Sequence, residues 1–147
     1  MAGGCSNSEA SSAERHTATS VEHHIESIGV KTKQASCIRQ GRTTYRCALA
    51  AKNGATIKVE VTESNPGQLQ YQTLSGLIDG PATARRLEQI WTQQSHLPAK
   101  ATCPNVIAAN SKMSVVCTLQ PEGRQKRQRI RVTILDDKTG DFTYKVL

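Results

Sequence analysis

Aromatic residues are scarce in this sequence. Tyr45, Tyr71, Tyr144, Trp91 and Phe142 are the whole complement in 147 residues. The anchors of any core must therefore come mainly from Val, Ile, Leu and Ala. Long apolar runs are also missing: nothing reaches the roughly 18 residues that a helix needs to cross a bilayer. Acidic residues are outnumbered, 12 against 19 Lys and Arg, for a formal net charge of +7. That excess favours acidic partners in general, whether nucleic acid, anionic lipid or acidic polymer, and says nothing about fold. No P-loop, HExxH pair, GxSxG elbow or dinucleotide fingerprint occurs. The expectation is a protein that is not an enzyme and carries no cofactor.

What is present is an order of features that occurs twice. Cys103-Pro104 leads to Cys117, a turn at Gln120-Pro121-Glu122-Gly123, the run Ile130-x-Val132-x-Ile134, a turn ending at Gly140, and Phe142-Thr143-Tyr144. Earlier, Cys37 leads to Cys47, a turn at Asn53-Gly54, the run Ile57-x-Val59-x-Val61, then Asn65-Pro66-Gly67 and Leu69-Gln70-Tyr71. Gly67 and Tyr71 match Gly140 and Tyr144 at one offset, and the two hydrophobic runs match at the same offset. A helix is expected ahead of each copy. Ser11-x-x-Glu14 fits a capping box, followed by Ala18, Val21, Ile25 and Ile28 at helical spacing, with Gly29 as a stop. Asp79 or Gly80 can cap the second helix, with Pro81 in its first turn and Ala84, Leu87, Ile90 and Trp91 as its stripe.

These readings give an α+β protein made of two tandem helix-plus-antiparallel-hairpin units. Each unit is expected to hold a three-stranded meander and one disulfide. Residues 1–12, small and polar, read as a disordered tether; 13–73 as the first repeat; 74–80 as a linker; 81–147 as the second repeat. Within the first repeat, Val30 to Arg42 reads as a connector, and Asn53-Gly54 as a hairpin whose two turn positions both want positive φ. Halves of this size have marginal cores, so they would need to share a sheet, share a core or carry staples.

Five cysteines are present, Cys5, Cys37, Cys47, Cys103 and Cys117. The repeat favours Cys37–Cys47 and Cys103–Cys117, because each pair then occupies the same place in its own unit. The alternatives are four reduced thiols or a four-cysteine zinc site, although the spacings contain no short Cys-x2-4-Cys knuckle. Disulfides would imply an oxidising compartment. Gly3-Gly4-Cys5, followed by Ser-Asn-Ser, resembles the cleavage end of a bacterial lipoprotein signal, in which Cys5 carries the lipid. The hydrophobic segment that normally precedes such a cysteine is not among these residues.

The second half resembles an uncharacterised domain family of actinobacterial secreted proteins and lipoproteins, the domain of unknown function 4333. The matching residues are Cys103-Pro104, Cys117-Thr118, Val132 with its flanking isoleucines, Asp136-Asp137, Gly140 and Tyr144. The resemblance covers about Pro81 to Val146. The first half is looser, with Ile38 where the family has Pro and Gly41 where a Gly often precedes the second cysteine. The resemblance implies an extracytoplasmic location and assigns no activity.

Two surface features are candidates for binding. Arg124, Lys126, Arg127, Arg129 and Arg131 are the densest charge in the chain, and strand alternation would set Arg127, Arg129 and Arg131 in one row about 7 Å apart. Such a row suits phosphates or sulfates along an anionic polymer, or lipid headgroups. It also reads as a solvent face that guards a strand against edge pairing. With no aromatics between the arginines to stack bases, nucleic acid is disfavoured. His16 and His23 share a helix face with Glu26 beyond, which reads as a solvated surface rather than a metal site. His96 stands at a helix end. The function expected is that of a non-enzymatic cell-envelope protein, held at the membrane by a lipid anchor rather than a span, that binds a protein or envelope component. The alternatives are an inhibitor of a secreted enzyme, or a binder of anionic polymer or lipid through the arginine row.

Overall fold

A computed structural model of the chain describes residues 11–123 and 126–147. Cys5 and Arg124 lie outside the described residues. The chain divides into two compact units, Met1–Gly76 and Leu77–Leu147. The first holds α1 (Ser12–Ser27) followed by β1 (Thr32–Arg39), β2 (Thr44–Ala51), β3 (Thr56–Asn65) and β4 (Gln68–Ser75). The second holds β5 (Leu77–Asp79), α2 (Gly80–Ser95), β6 (Ala99–Thr102), β7 (Val106–Ala108), β8 (Ser114–Pro121), β9 (Gln128–Ile134) and β10 (Phe142–Val146). All pairings are antiparallel. One four-stranded sheet runs β1-β2-β3-β4, a second β6-β8-β9-β10, and β5 pairs with β7. The architecture is α+β, as the sequence indicated, with four strands in each main sheet rather than three.

Both helices start where the sequence marks them. Ser11 accepts from the Glu14 N–H at 3.1 Å while Glu14 accepts from the Ser11 N–H at 2.9 Å, a complete capping box. Asp79 caps α2 by accepting from the Ala82 N–H at 3.1 Å, with Pro81 at the first positions. The end of α1 is a Schellman motif. Gly29, at φ 102°, donates to the Glu26 carbonyl, and the Val30 N–H reaches the Ile25 carbonyl. Ile28 is thereby the C-cap and turns outward, 37% exposed, rather than extending the apolar stripe. The stripe is Thr17, Ala18, Val21 and Ile25 in α1 and Thr83, Ala84 and Leu87 in α2. In both helices the buried threonine hydroxyl donates to the carbonyl four residues back, Thr17 to Ala13 and Thr83 to Asp79, each at 2.9 Å.

Each helix covers the inner face of its own sheet. The first core is completed by Tyr45, Cys47 and Leu49 of β2 and by Ile57, Val59 and Val61 of β3, all buried. The second joins Ala84 and Leu87 to Cys117, Leu119, Ile130, Val132 and Ile134, with Ile78 and Ile107 from β5 and β7. The stretch 74–80, expected as a linker, is structured. Leu74 and Ser75 end β4, and Leu77–Asp79 forms β5 because Ile78 has core to fill opposite Ile107.

The segment read as a connector is strand β1. Its burial pattern shows little alternation, so hydrophobic periodicity does not announce it. Two long-range ties hold it instead. Cys37 is bonded to Cys47 directly across the β1–β2 ladder, with Cα atoms 4.0 Å apart, and Glu22 of α1 accepts from the Ala35 N–H at 2.9 Å. The second unit repeats both. Cys103, one residue beyond β6, is bonded to Cys117 with Cα atoms 4.5 Å apart, and Glu88 of α2 accepts from the Ala101 N–H at 2.8 Å.

Strand register adjusts the sequence match between halves. Tyr71 opposes Val61 and Tyr144 opposes Val132, so Val61 corresponds to Val132, not to Ile134. The runs slip by two residues, which keeps the same face inward. At Asn53-Gly54 only Gly54 has positive φ, 96°. The Asn53 side chain accepts from the Ala55 N–H and Ala51 donates to the Ala55 carbonyl, so a wider loop replaces the two-residue turn.

Candidate functional site

The two expected disulfides are both present, and their sulfurs belong to buried or half-buried residues facing the cores. Among the described residues no helix is long and apolar enough to cross a membrane. No group of three or more His, Cys, Asp or Glu residues there is arranged to hold a metal. The helix-1 histidines go separate ways. His24 stacks on Tyr71, ring centroids 4.1 Å apart and 9° from parallel, while His23 is exposed. His96 is the left-handed C-cap of α2, and its backbone N–H donates to Thr92 at 2.9 Å.

Of the basic run, Arg129 and Arg131 lie in β9, exposed and on its outer face, where Ile130, Val132 and Ile134 are turned inward. Arg127 and Lys126 precede the strand, so the expected row of three is a pair. The β8–β9 ladder ends at Leu119–Gln128. Beyond it, β8 continues along β6, and the Glu122 N–H bonds to the Pro98 carbonyl, leaving Lys126 and Arg127 no strand to pair with.

The register adds two cations that the linear pattern did not point to. Lys145 of β10 is directly opposite Arg131, and Lys100 of β6 lies on the same outer face, opposite Gln120 of β8. The face is completed by Thr102, Ser114, Val116, Thr118, Thr133 and Thr143. The four strands β6, β8, β9 and β10 contain no Asp or Glu at all. Among the described residues the ion pairs are Arg46–Glu60 at 3.1 Å and Arg86–Asp141 at 3.3 Å, neither on this face. The first sheet differs, since Glu60 of β3 neutralises Arg46 of β2 across the same kind of outer face. Phe142 and Tyr144 turn inward against the second core, so no aromatic ring stands among these cations.

A concavity lies in the first unit, between the start of α1 and the β3–β4 turn. It is a cleft of about 380 Å³ lined by His16, Ser20, Tyr45, Glu63, Leu69 and Tyr71 among others. Glu63 Oε2 accepts from the Gly67 N–H at 3.1 Å, which holds the carboxylate beside the turn. Burial pushes the Tyr71 hydroxyl above the usual phenol range, and its hydrogen bond with Ser20 draws it part of the way back. Nothing in the linear sequence joins these residues, which come from a helix and three strands.

Compared with protein families, with curated proteins and with solved structures, the chain matches none.

Proposed function

We propose that this chain is a non-enzymatic extracytoplasmic protein, tethered through Cys5, that binds an anionic polymer of the cell envelope through the outer face of its second sheet. The observation that carries this reading is the cross-strand pair Arg131–Lys145 on a face with Arg129 and Lys100, built from strands that contain no Asp or Glu. Like charges directly opposed in a sheet cost stability. Lys145 and Lys100 stand on the two edge strands, where a lysine also guards against edge pairing, but Arg129 and Arg131 are on the inner strand β9, and a polyanion lying across the strands would be met by all four cations at once. The apolar side chains exposed here are Val116 and, beside Arg129 at the end of β10, Leu147; two separate aliphatic side chains among cations and threonines are a small apolar surface for a bilayer, so a hydrated polymer is the reading tested first. The extracytoplasmic location is supported by the two disulfides. The shared plan of Glu-to-strand tie, cross-strand disulfide and sheet order supports reading the two units as tandem copies.

The test is binding of the full chain to linear polyphosphate, with anionic phospholipid vesicles as a second arm. Reversing Arg129→Glu and Arg131→Glu together is expected to weaken polyphosphate binding by about tenfold or more. The wild-type affinity should fall with salt at a log–log slope of about −3, as four cations releasing counterions from a linear polyanion would give. Undiminished binding in the double variant would sink the proposal. Binding to vesicles but not to polyphosphate would replace the polymer with a membrane surface.

A further inference from the structure

We infer that the cleft of the first unit is a binding site for an uncharged mono- or disaccharide. Its volume of about 380 Å³ falls within the roughly 300–1,000 Å³ typical of small-molecule pockets. The chemistry of its walls narrows the class. Among the described residues no Lys or Arg lines it, so it lacks the fixed cation that a phosphate or sulfate site would use. Apolar contact is limited to Ala13, Leu69 and the tyrosine rings, too little for an acyl chain. What it presents is the Tyr71 hydroxyl, the His16 imidazole, the Glu63 carboxylate and the Ser20 oxygen, whose own proton is donated to the His16 carbonyl at 3.1 Å; Tyr45 is buried. A serine oxygen that accepts, a tyrosine hydroxyl, an imidazole and one fixed carboxylate together suit the hydroxyls of a polyhydroxylated ring, while the Tyr71 ring has one face stacked on His24. Glu63 is already oriented by the Gly67 N–H through Oε2, which leaves Oε1 for a sugar hydroxyl.

The second unit supplies the comparison that makes the cleft more than a surface irregularity. Ser20 and Arg86 are each three residues beyond the buried threonine of their helix, Thr17 and Thr83, and Leu69 and Phe142 each lie two residues before the tyrosine of the last strand. The matching hollow, lined by Ala82, Thr83, Arg86 and Gly140, is smaller, about 240 Å³. There the Arg86 guanidinium sits 5.0 Å from the centre of the Phe142 ring and pairs with Asp141 at 3.3 Å. One unit narrows this place with its own side chains. The other puts Ser and Leu there and leaves it open.

That comparison provides the variant. Ser20→Arg places in the first unit the residue that the second already accommodates. The experiment titrates isotopically labelled full chain with methyl glucoside, N-acetylglucosamine and their β-linked disaccharides, following backbone amide shifts. The expected result is a saturable response at Ser20, Glu63, Gly67 and Tyr71 for at least one of these sugars. It should weaken by about tenfold or more in Ser20→Arg and in the isosteric Glu63→Gln. Amide shifts away from the cleft should be unchanged in both variants, which separates loss of the site from loss of the fold. No saturable response to any of these sugars, a response that maps elsewhere, or undiminished binding in either variant would overturn the assignment.

Discussion

Arg131 and Lys145 oppose each other in adjacent strands, and Glu22 and Glu88 each reach from a helix to one strand amide. These side chains show how single residues serve opposite ends in this molecule. The cationic pair costs on the order of 0.2–1 kcal/mol. Lys145→Glu is therefore expected to raise stability by about 0.5 kcal/mol in urea denaturation while weakening polyphosphate binding, the opposite signs expected where binding is kept at the expense of stability. The glutamates are the converse case. Glu88→Ala leaves the Ala101 N–H without its acceptor and should cost about 1.5 kcal/mol, with faster hydrogen exchange at Ala101. Glu14 brings pH into play. Its carboxylate accepts from the Ser11 and Arg39 backbone N–H groups, and these bonds hold its pKa below the usual glutamate value. Since the folded value is the lower one, the contribution is complete above the unfolded pKa of about 4.3 and is lost as pH falls through the folded value. Protection of the Arg39 amide, relative to its intrinsic rate, should accordingly decline on acidification below that range. Alternation within one strand made Arg129 and Arg131 legible in the sequence. Lys145 and Lys100 join them only through register, and the two glutamates act over thirteen positions, beyond any helical or strand period.

At the level of elements, helices and inner strands were legible because each carries its own signal: caps at Ser11 and Asp79, period-two hydrophobicity in β3 and β9. The last strand of each meander, β4 and β10, was legible too, but the edge strands β1 and β6 were not. β1 has few apolar residues and is held by a disulfide and a glutamate from outside itself. Replacing both Cys37 and Cys47 by Ser should cost about 3 kcal/mol from the unfolded chain's regained freedom, and β1 amides should lose protection before those of β3. Gly80 is a second dependence of this kind. A Cβ there would run into the Pro104 carbonyl oxygen and lie 2.8 Å from that of Asn105, at the residue where α2 starts and where Gly80 donates to Asn105 at 3.0 Å. Gly80→Ala must push the β6–β7 connection away. It is expected to destabilise the second unit by on the order of 2 kcal/mol or more in thermal or chemical denaturation.

For the whole molecule, the repeated plan was legible from the cysteines and turns, while the cleft was not, since it is defined by what the second unit has and the first lacks. Intact mass after alkylation without reduction should show at most one reactive thiol, because Cys37, Cys47, Cys103 and Cys117 are consumed in pairs. Five would contradict the fold. The same pairing bears on how the chain oxidises. Each cysteine's partner is its neighbour along the sequence, at separations of 10 and 14. Joining Cys47 to Cys103 instead would close a roughly fivefold longer loop and cost about 1.5 kcal/mol more entropy. In an oxidising environment proximity along the chain therefore favours the correct bridges, which reduces the need for a catalyst to reshuffle them. A lipid on the Cys5 sulfur would withdraw the fifth thiol from that exchange and leave an even number to pair.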